Sequence, residues 1–119
     1  MKAMRSFLML YFILDQGYSK CEDDDLGAFL GIISPELWDD GWPIDKAVFN
    51  DWIEMCQPQS ITEKNIIKKI LIFLDYYEKG FGFDFSVIKK WVLKDADTQV
   101  IKKAMKNVDV FYEKYKYED

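Results

Sequence analysis

The fold of this chain is decided by residues 60–82, which read SITEKNIIKKILIFLDYYEKGFG. Apolar side chains recur there at intervals of three and four residues, which places them on one face of a helix. They are Ile66, Ile70, Phe73, Leu74 and Tyr77, with Ile67 and Leu71 beside them. Residues 60–63 fit a capping box, and Gly80 and Gly82 are typical of a helix end. We therefore expect a long, mostly apolar helix at the centre of an all-α fold.

Two more helices are predicted on the C-terminal side of this stretch. Residues 83–86 lead into the shorter of the two. Its apolar residues are Val87, Ile88, Trp91 and Val92. Asp97 or Thr98 caps the last helix. The apolar stripe of that helix consists of Ile101, Ala104, Met105, Val108, Tyr112 and Tyr115. Residues 116–119 follow it and are expected to fray.

Helices are also predicted on the N-terminal side. The first has apolar residues at helical spacing and ends near Gly17. These residues are Met4, Phe7, Leu8, Tyr11 and Phe12. Asp25 is expected to cap a short helix over residues 26–33. Ser34-Pro35-Glu36 then opens a single further turn, because proline suits the first position of a helix.

A helix between residues 45 and 56 completes the pattern, with Asp45 as its N-cap. Its buried face consists of Phe49, Trp52, Ile53 and Cys56. The chain shows neither an internal repeat nor a linker between domains. We therefore expect one helical domain over residues 1–119, a compact bundle of about five helices.

The first fourteen residues have two interpretations. Lys2 and Arg5 precede an apolar run over residues 7–14, as in a secretory signal peptide. The run is short, lacks a small-residue cleavage site and stops at Asp15. Eight apolar residues are too few to span a bilayer as a helix. We expect a buried first helix in a cytoplasmic protein without membrane contact, and an export signal remains the alternative.

The charge of the chain is unevenly distributed. The net charge is −5, yet residues 15–54 carry eleven acidic side chains and two lysines, a local net of −9. Residues 61–119 carry twelve lysines and ten acidic side chains, a local net of +2. Proteins bind nucleic acids through cations that replace condensed counterions. This acidic chain is therefore not expected to bind nucleic acid directly.

Tryptophans accompany the acidic residues in the first half of the chain. Trp38 and Trp42 flank the turn Asp39-Asp40-Gly41, and Trp52 follows Asp51. Aromatic side chains anchor protein interfaces, and a clustered negative field speeds the encounter with a basic partner. The pattern predicts a docking surface for a cationic protein. Its candidate residues are Asp23, Asp24, Asp25, Asp39, Asp40, Trp42, Asp51 and Glu54.

Some of these aromatic and acidic residues have a structural interpretation as well. Trp38, Trp52 and Trp91 are expected in the core, since large aromatic side chains fill the gaps between helices. Trp42 is equally consistent with burial and with exposure. Asp51 lies on the polar face beside Trp52, and ordinary solvation is the alternative to its place in the docking surface.

Catalytic chemistry is poorly supported by the residue types present. Histidine is absent, which removes the commonest general base and zinc ligand. The stretch from Asp23 resembles the start of a calcium loop, but Ser34 stands at the twelfth position, where that loop needs glutamate. No catalytic residue, metal, cofactor or small-molecule ligand is expected. A hydrolase that uses carboxylates or magnesium is the remaining enzymatic alternative.

The two cysteines, Cys21 and Cys56, are too few for a secreted disulfide framework. Reduced thiols are expected, with a single disulfide as the alternative.

The order of residues resembles that of a known family. The pattern is Leu26-Gly27-x-Phe29-Leu30, then Pro35-x-Leu37-Trp38-x-Asp40-Gly41-x-Pro43-x-Asp45-x-Ala47, then Asp51-Trp52, continued by residues 70–77 and Phe81-Gly82-Phe83. Over residues 7–93 the chain is similar to the immunity proteins of contact-dependent growth inhibition systems. That family usually has a small residue before the aspartate of the Pro-x-Asp step. This chain has Ile44 there, with the bulky Trp42 nearby.

The resemblance implies a cytosolic antidote that binds and blocks the C-terminal toxin domain delivered by a sibling cell. Such toxins are often nucleases that act on tRNA or DNA. A carboxylate-rich surface suits such a partner, because a nuclease holds phosphates with cations. The alternative is an intracellular adaptor or regulatory module that binds a basic protein unrelated to toxins. Very tight one-to-one capture distinguishes an antidote from an adaptor.

Overall fold

Six α-helices and one short 3-10 turn build the described part of the chain. The computed structural model describes residues 1–38, 40–57 and 60–117. In chain order the elements are α1 (Ala3–Cys21), α2 (Asp24–Ile33), the 3-10 turn (Pro35–Leu37), α3 (Lys46–Cys56), α4 (Ile66–Phe81), α5 (Ser86–Asp95) and α6 (Thr98–Tyr115). These ranges contain no β-strand. The all-α prediction is confirmed, and they hold six helices where about five were predicted.

Helix α1 is the centre of the bundle. It packs against each of the other five helices, most extensively against α6 and α5. Every residue of α1 from 6 to 14 is buried. The prediction that α4 is central is wrong, since α4 buries one stripe and exposes Ile72 and Tyr76. Sequence periodicity reveals a stripe, but a helix buried on all sides has no stripe to reveal.

Gly17 lies inside α1 and does not end it. The helix continues to Cys21 and ends where Glu22 adopts a left-handed φ of 48°. A Cβ atom on Gly17 would lie 2.4 Å from Cδ1 of Ile88 and 2.7 Å from Cε3 of Trp91. Glycine at this position therefore allows α5 to approach α1 closely. The predicted helix end near Gly17 is wrong for this reason.

Helix α4 begins later than its sequence predicts. The N–H of Thr62 donates to Oδ1 of Asn65 over 2.7 Å, and the N–H of Asn65 donates to Oγ1 of Thr62 over 3.3 Å. This reciprocal pair forms a turn ahead of Ile66, so the predicted capping box at residues 60–63 is wrong. At the other end, Gly82 adopts a φ of 77° and terminates α4 as predicted.

Aspartates cap three of the helices. The carboxylates of Asp45 and Asp97 accept backbone N–H groups of the first turns of α3 and α6, as predicted. Helix α2 is capped by Asp23 and not by Asp25, which corrects the prediction. Asp25 lies two residues further along the chain, in the first turn, and accepts the N–H of Asp84 over 2.6 Å. It thereby ties α2 to the loop between α4 and α5.

Trp38 and Trp52 are buried, as predicted. The indole N–H of Trp52 donates to Oγ of Ser6 over 2.9 Å, and the ring of Trp38 stacks 6.3 Å from that of Phe7. Nε1 of Trp38 has no hydrogen-bond partner among the described residues. Trp91 is partly buried against the core. These three rings belong to the packing of the bundle, and Trp42 is the most exposed of the four tryptophans.

Neither a disulfide nor a membrane-spanning helix occurs in the described residues. Cys21 and Cys56 are both free thiols, as expected, and burial raises the pKa of each. No helix within the described ranges is long and apolar enough to cross a membrane.

Candidate functional site

Trp42 protrudes from the loop that joins the 3-10 turn to α3. Its side chain is 52% exposed, which decides between the two interpretations of this residue. The backbone N–H of Trp42 donates to Oδ1 of Asp40 over 3.0 Å. This bond closes a local turn of the kind that aspartate favours. An exposed carboxylate and a half-exposed indole are therefore fixed two residues apart.

Gly41 connects this loop to the end of α6. It has a φ of 81°, and its carbonyl oxygen accepts a hydrogen bond from the hydroxyl of Tyr117. A Cβ atom at this position would lie 2.6 Å from Cδ1 of Tyr115. The loop therefore requires a glycine at this position for two reasons: its backbone conformation and the space that the Tyr115 ring occupies.

A cluster of C-terminal tyrosines supports Trp42. The centroids of the Trp42 and Tyr117 rings are 5.8 Å apart in an edge-to-face arrangement, and Tyr117 also contacts Tyr112 and Tyr115. Burial, with Tyr115 and Asp40 nearby, raises the pKa of Tyr117 to about 12. The phenol thus stays neutral and keeps donating to Gly41.

Residues 116–119 were expected to fray, but Tyr117 is held in these contacts. Glu118 and Asp119 lie outside the described residues.

Two surface clefts border Trp42. The first, which we call the α3 cleft, has a volume of about 540 Å³. Besides Asp40 and Trp42 it is lined by Pro43, Ile44, Lys46, Phe49 and Asn50. The second, which we call the tyrosine cleft, has a volume of about 370 Å³. Besides Asp40 and Trp42 it is lined by Tyr115, Lys116 and Tyr117. Asp40 and Trp42 thus contribute to both clefts.

Of the three aspartates at the start of α2, two make contacts within the fold and one is exposed. Asp23 and Asp25 are engaged as a helix cap and as an acceptor for the loop before α5. Asp24 is exposed and lines a shallow groove with Asp15, about 390 Å³ in volume, between α1 and α2. Burial and the nearby Glu36 raise the pKa of the Asp15 carboxyl. This groove is a second acidic area, and of its residues only Asp24 was among the predicted docking residues.

Asp51 and Glu54 differ although both lie on α3. The hydroxyl of Tyr77 donates to Oδ2 of Asp51 over 2.8 Å, so the alternative of a merely solvated Asp51 is wrong. Burial and this carboxylate raise the pKa of Tyr77 well above its ordinary value, which keeps the phenol a donor. Glu54 is exposed and available to a partner. Asp39 lies outside the described residues.

The predicted docking residues therefore separate by role. Asp40 and Trp42 form one assembled site, Asp24 and Glu54 are exposed elsewhere, and the other described members bind the chain itself. Sequence reasoning missed Tyr115 and Tyr117. Tyr115 had been assigned to a buried stripe and Tyr117 to a fraying tail. The density of tyrosines over residues 112–117 was the signal that could have identified both.

The described residues bring together no group of three or more cysteine, aspartate or glutamate side chains that could hold a metal ion.

No family model, no curated protein and no solved structure matches this chain. The case for a function therefore depends on the chain's own residues.

Proposed function

We propose that this chain is an immunity protein that neutralises a cognate toxin domain, a nuclease, by binding to its cationic surface. The observation that carries the proposal is Trp42, half exposed and fixed beside Asp40 between two clefts. It protrudes from a segment of the chain with a local net charge of −9. Occlusion needs no catalytic group, only an anchor and complementary charge.

The anchor is organised before a partner arrives. The Asp40 turn and the Tyr117 hydrogen bond hold the backbone on both sides of Gly41. A side chain that is already placed loses little conformational freedom on binding, so more of the contact energy remains as affinity. Tryptophan is also the residue type most often found at the energetic centre of interfaces.

The exposed acidic side chains attract the cationic partner over a distance. Asp24, Asp40 and Glu54 carry their charge at the surface. A negative field of this kind raises the rate at which a cationic partner is encountered, and the effect weakens as salt is added. The active surface of a nuclease is cationic because it holds phosphates.

Three residues of the pattern that resembles the immunity family shape the loop around Trp42. Gly41 has a positive φ, Pro43 is buried and Asp45 caps α3. Ile44, where this chain departs in bulk from the family, and the nearby Trp42 lie at positions that the pattern leaves open, and both are exposed. In this proposal the pattern specifies a loop, and the bulky side chains exposed on that loop select the partner.

Growth rescue tests the proposal. The C-terminal domain of the large secreted protein encoded directly upstream is expressed in a sensitive strain, with and without this chain. We expect the toxin domain alone to be toxic and the wild-type chain to relieve this toxicity. The Trp42→Ala variant should fail to relieve it. The matched control is Tyr76→Ala, which removes an exposed aromatic from α4 and should still rescue.

Toxicity that persists beside well-expressed wild-type chain would contradict the proposal and favour the adaptor. A dissociation constant near the micromolar range would do the same, since an antidote must hold its toxin far more tightly.

A further inference from the structure

We infer that the tyrosine cleft binds the guanidinium group of one arginine side chain of the partner, with the ring of Trp42 and the carboxylate of Asp40 as its main contacts. The inference rests on the proposed function, since it names the chemistry by which that partner is recognised. It commits to arginine and not to lysine or a quaternary ammonium.

Aromatic rings dominate the cleft. Trp42, Tyr115 and Tyr117 line it, and each neighbouring pair of ring centroids, Trp42–Tyr117 and Tyr115–Tyr117, is 5.8 Å apart. The faces of such rings carry partial negative charge and attract cations within about 6 Å of the centroid. A volume of about 370 Å³ leaves room for a long side chain in the cleft that these rings line.

Asp40 adds a full negative charge at the same place. Its Oδ1 accepts the N–H of Trp42, which fixes the orientation of the carboxylate. A carboxylate has about four acceptor sites, and this hydrogen bond uses one of them. A planar guanidinium can stack on an indole while it donates two N–H bonds to a carboxylate, whereas an ammonium is a strongly hydrated point charge. The pair of Asp40 and Trp42 therefore favours arginine.

The lysines near the cleft contact groups other than Asp40. Lys116 lines the cleft, and its Nζ lies 3.0 Å from Oε1 of Glu113. Nζ of Lys114 lies 5.0 Å from the centroid of the Tyr115 ring, one of the rings of the cleft. In the described part of the chain no lysine or arginine forms an ion pair with Asp40, so its charge is available to an incoming cation.

A similar contact of a guanidinium with an aromatic ring and a carboxylate occurs within the protein, at the neighbouring ring of Tyr112. Cζ of Arg5 lies 4.5 Å from the centroid of the Tyr112 ring, and Nη1 of Arg5 lies 2.9 Å from Oδ1 of Asp109. Tyr112 in turn contacts Tyr117, at a centroid separation of 4.9 Å. A guanidinium held between a tyrosine ring and an aspartate is therefore stable in the same aromatic cluster. The tyrosine cleft presents the same groups, with an indole added, toward solvent.

An NMR titration of the isotope-labelled full chain tests the inference without a toxin. The probes are N-acetyl-arginine methylamide and N-acetyl-lysine methylamide in physiological salt. The reporter is the indole N–H signal of Trp42, assigned as the one lost in Trp42→Phe. We expect a saturable shift with arginine and binding at least about tenfold weaker with lysine.

Two variants localise the binding. Asp40→Asn should weaken arginine binding several-fold yet preserve the loop, because asparagine Oδ1 can still accept the N–H of Trp42. Glu63→Gln removes an exposed acid elsewhere and should leave arginine binding unchanged. Equal binding of lysine, stronger binding of tetramethylammonium, or arginine binding that Asp40→Asn leaves as tight as in the wild type would each overturn the inference.

The two proposals fail in different ways. Arginine-selective binding without growth rescue would support the cleft and contradict the antidote. Rescue without arginine selectivity would contradict the cleft and leave the antidote standing.

Discussion

At the scale of single residues, Gly41 sets the geometry of the candidate site. Its positive φ turns the chain between Asp40 and Trp42, and its missing side chain makes room for Tyr115. The two demands reinforce each other, since a side chain here would be strained in its backbone and would also collide with a ring. One glycine thus joins a loop near α3 to the end of α6.

The first prediction concerns this residue. Gly41→Ala should lower the free energy of unfolding by about 1–3 kcal/mol, because it adds backbone strain to the clash with Tyr115. Gly80→Ala is the matched control, since Gly80 lies in α4 with open space around it and should gain about 0.5–1 kcal/mol from helix propensity. Urea denaturation measures both. A Gly41→Ala variant as stable as the wild type would refute the requirement.

A second residue-scale prediction concerns pH. The pKa of Tyr117 is raised from 10.0 to about 12 in the fold, so the unfolded chain releases this proton first as pH rises. The contribution of Tyr117 to stability is complete below pH 10 and declines between about pH 10 and 12. Tyr117→Phe cannot ionise, so its unfolding free energy should fall less steeply over that interval. Urea denaturation at pH 9, 10 and 11 gives both slopes, and identical slopes would contradict the prediction.

At the scale of elements, the contact between α1 and α5 depends on a close approach at Gly17. Gly17→Ala should destabilise the fold by about 1–3 kcal/mol, because the added methyl group overlaps Ile88 and Trp91. Gly31→Ala in α2 is the control, since nothing lies within 4 Å of its added Cβ. In the double variant Gly17→Ala/Ile88→Val, the loss should be smaller than the sum of the two single losses. Thermal unfolding measures the three variants. If the two single losses added up strictly, the methyl group at position 17 and the Ile88 side chain would not be in contact.

The helices were predictable where one face is apolar and the cap is a local side chain. The stripes of α4 and α6 and the caps Asp45 and Asp97 follow from spacing and residue type alone. Tertiary packing decided the rest. The centrality of α1, the length of α1 beyond Gly17 and the engagement of Asp25 by Asp84 all depend on contacts distant in sequence.

Only the part of the candidate site that comes from the loop before α3 was predictable from the sequence. The density of acids and tryptophans identified Asp40 and Trp42, since residue type and turn chemistry act locally. Tyr115 and Tyr117 are more than seventy residues away in sequence, as the separation of 76 between Tyr117 and Gly41 shows. The pattern of acids also cannot distinguish a solvated carboxylate from one that binds a tyrosine, as Asp51 does.

At the scale of the whole molecule, the acidic side chains of residues 15–54 lie in different parts of the structure. Asp24 lies in a groove between α1 and α2, and Asp40 lies beside the end of α6. Asp23, Asp25 and Asp51 are engaged in hydrogen bonds that hold the fold. These acids are different from Asp24 and Glu54, exposed acids that we propose for partner capture, which allows the charge of the surface to be varied while these hydrogen bonds remain.

That separation leads to the last prediction. Asp24→Lys/Glu54→Lys should slow association with the toxin domain at least about tenfold at low salt and flatten its salt dependence, because long-range attraction governs the encounter. Glu63→Lys/Asp95→Lys changes the net charge equally through exposed acids outside residues 15–54, and it should slow association much less. Stopped-flow association rates over a range of ionic strength measure both pairs. Equal slowing would mean that only net charge matters, and that the acidic segment of residues 15–54 does not direct the encounter.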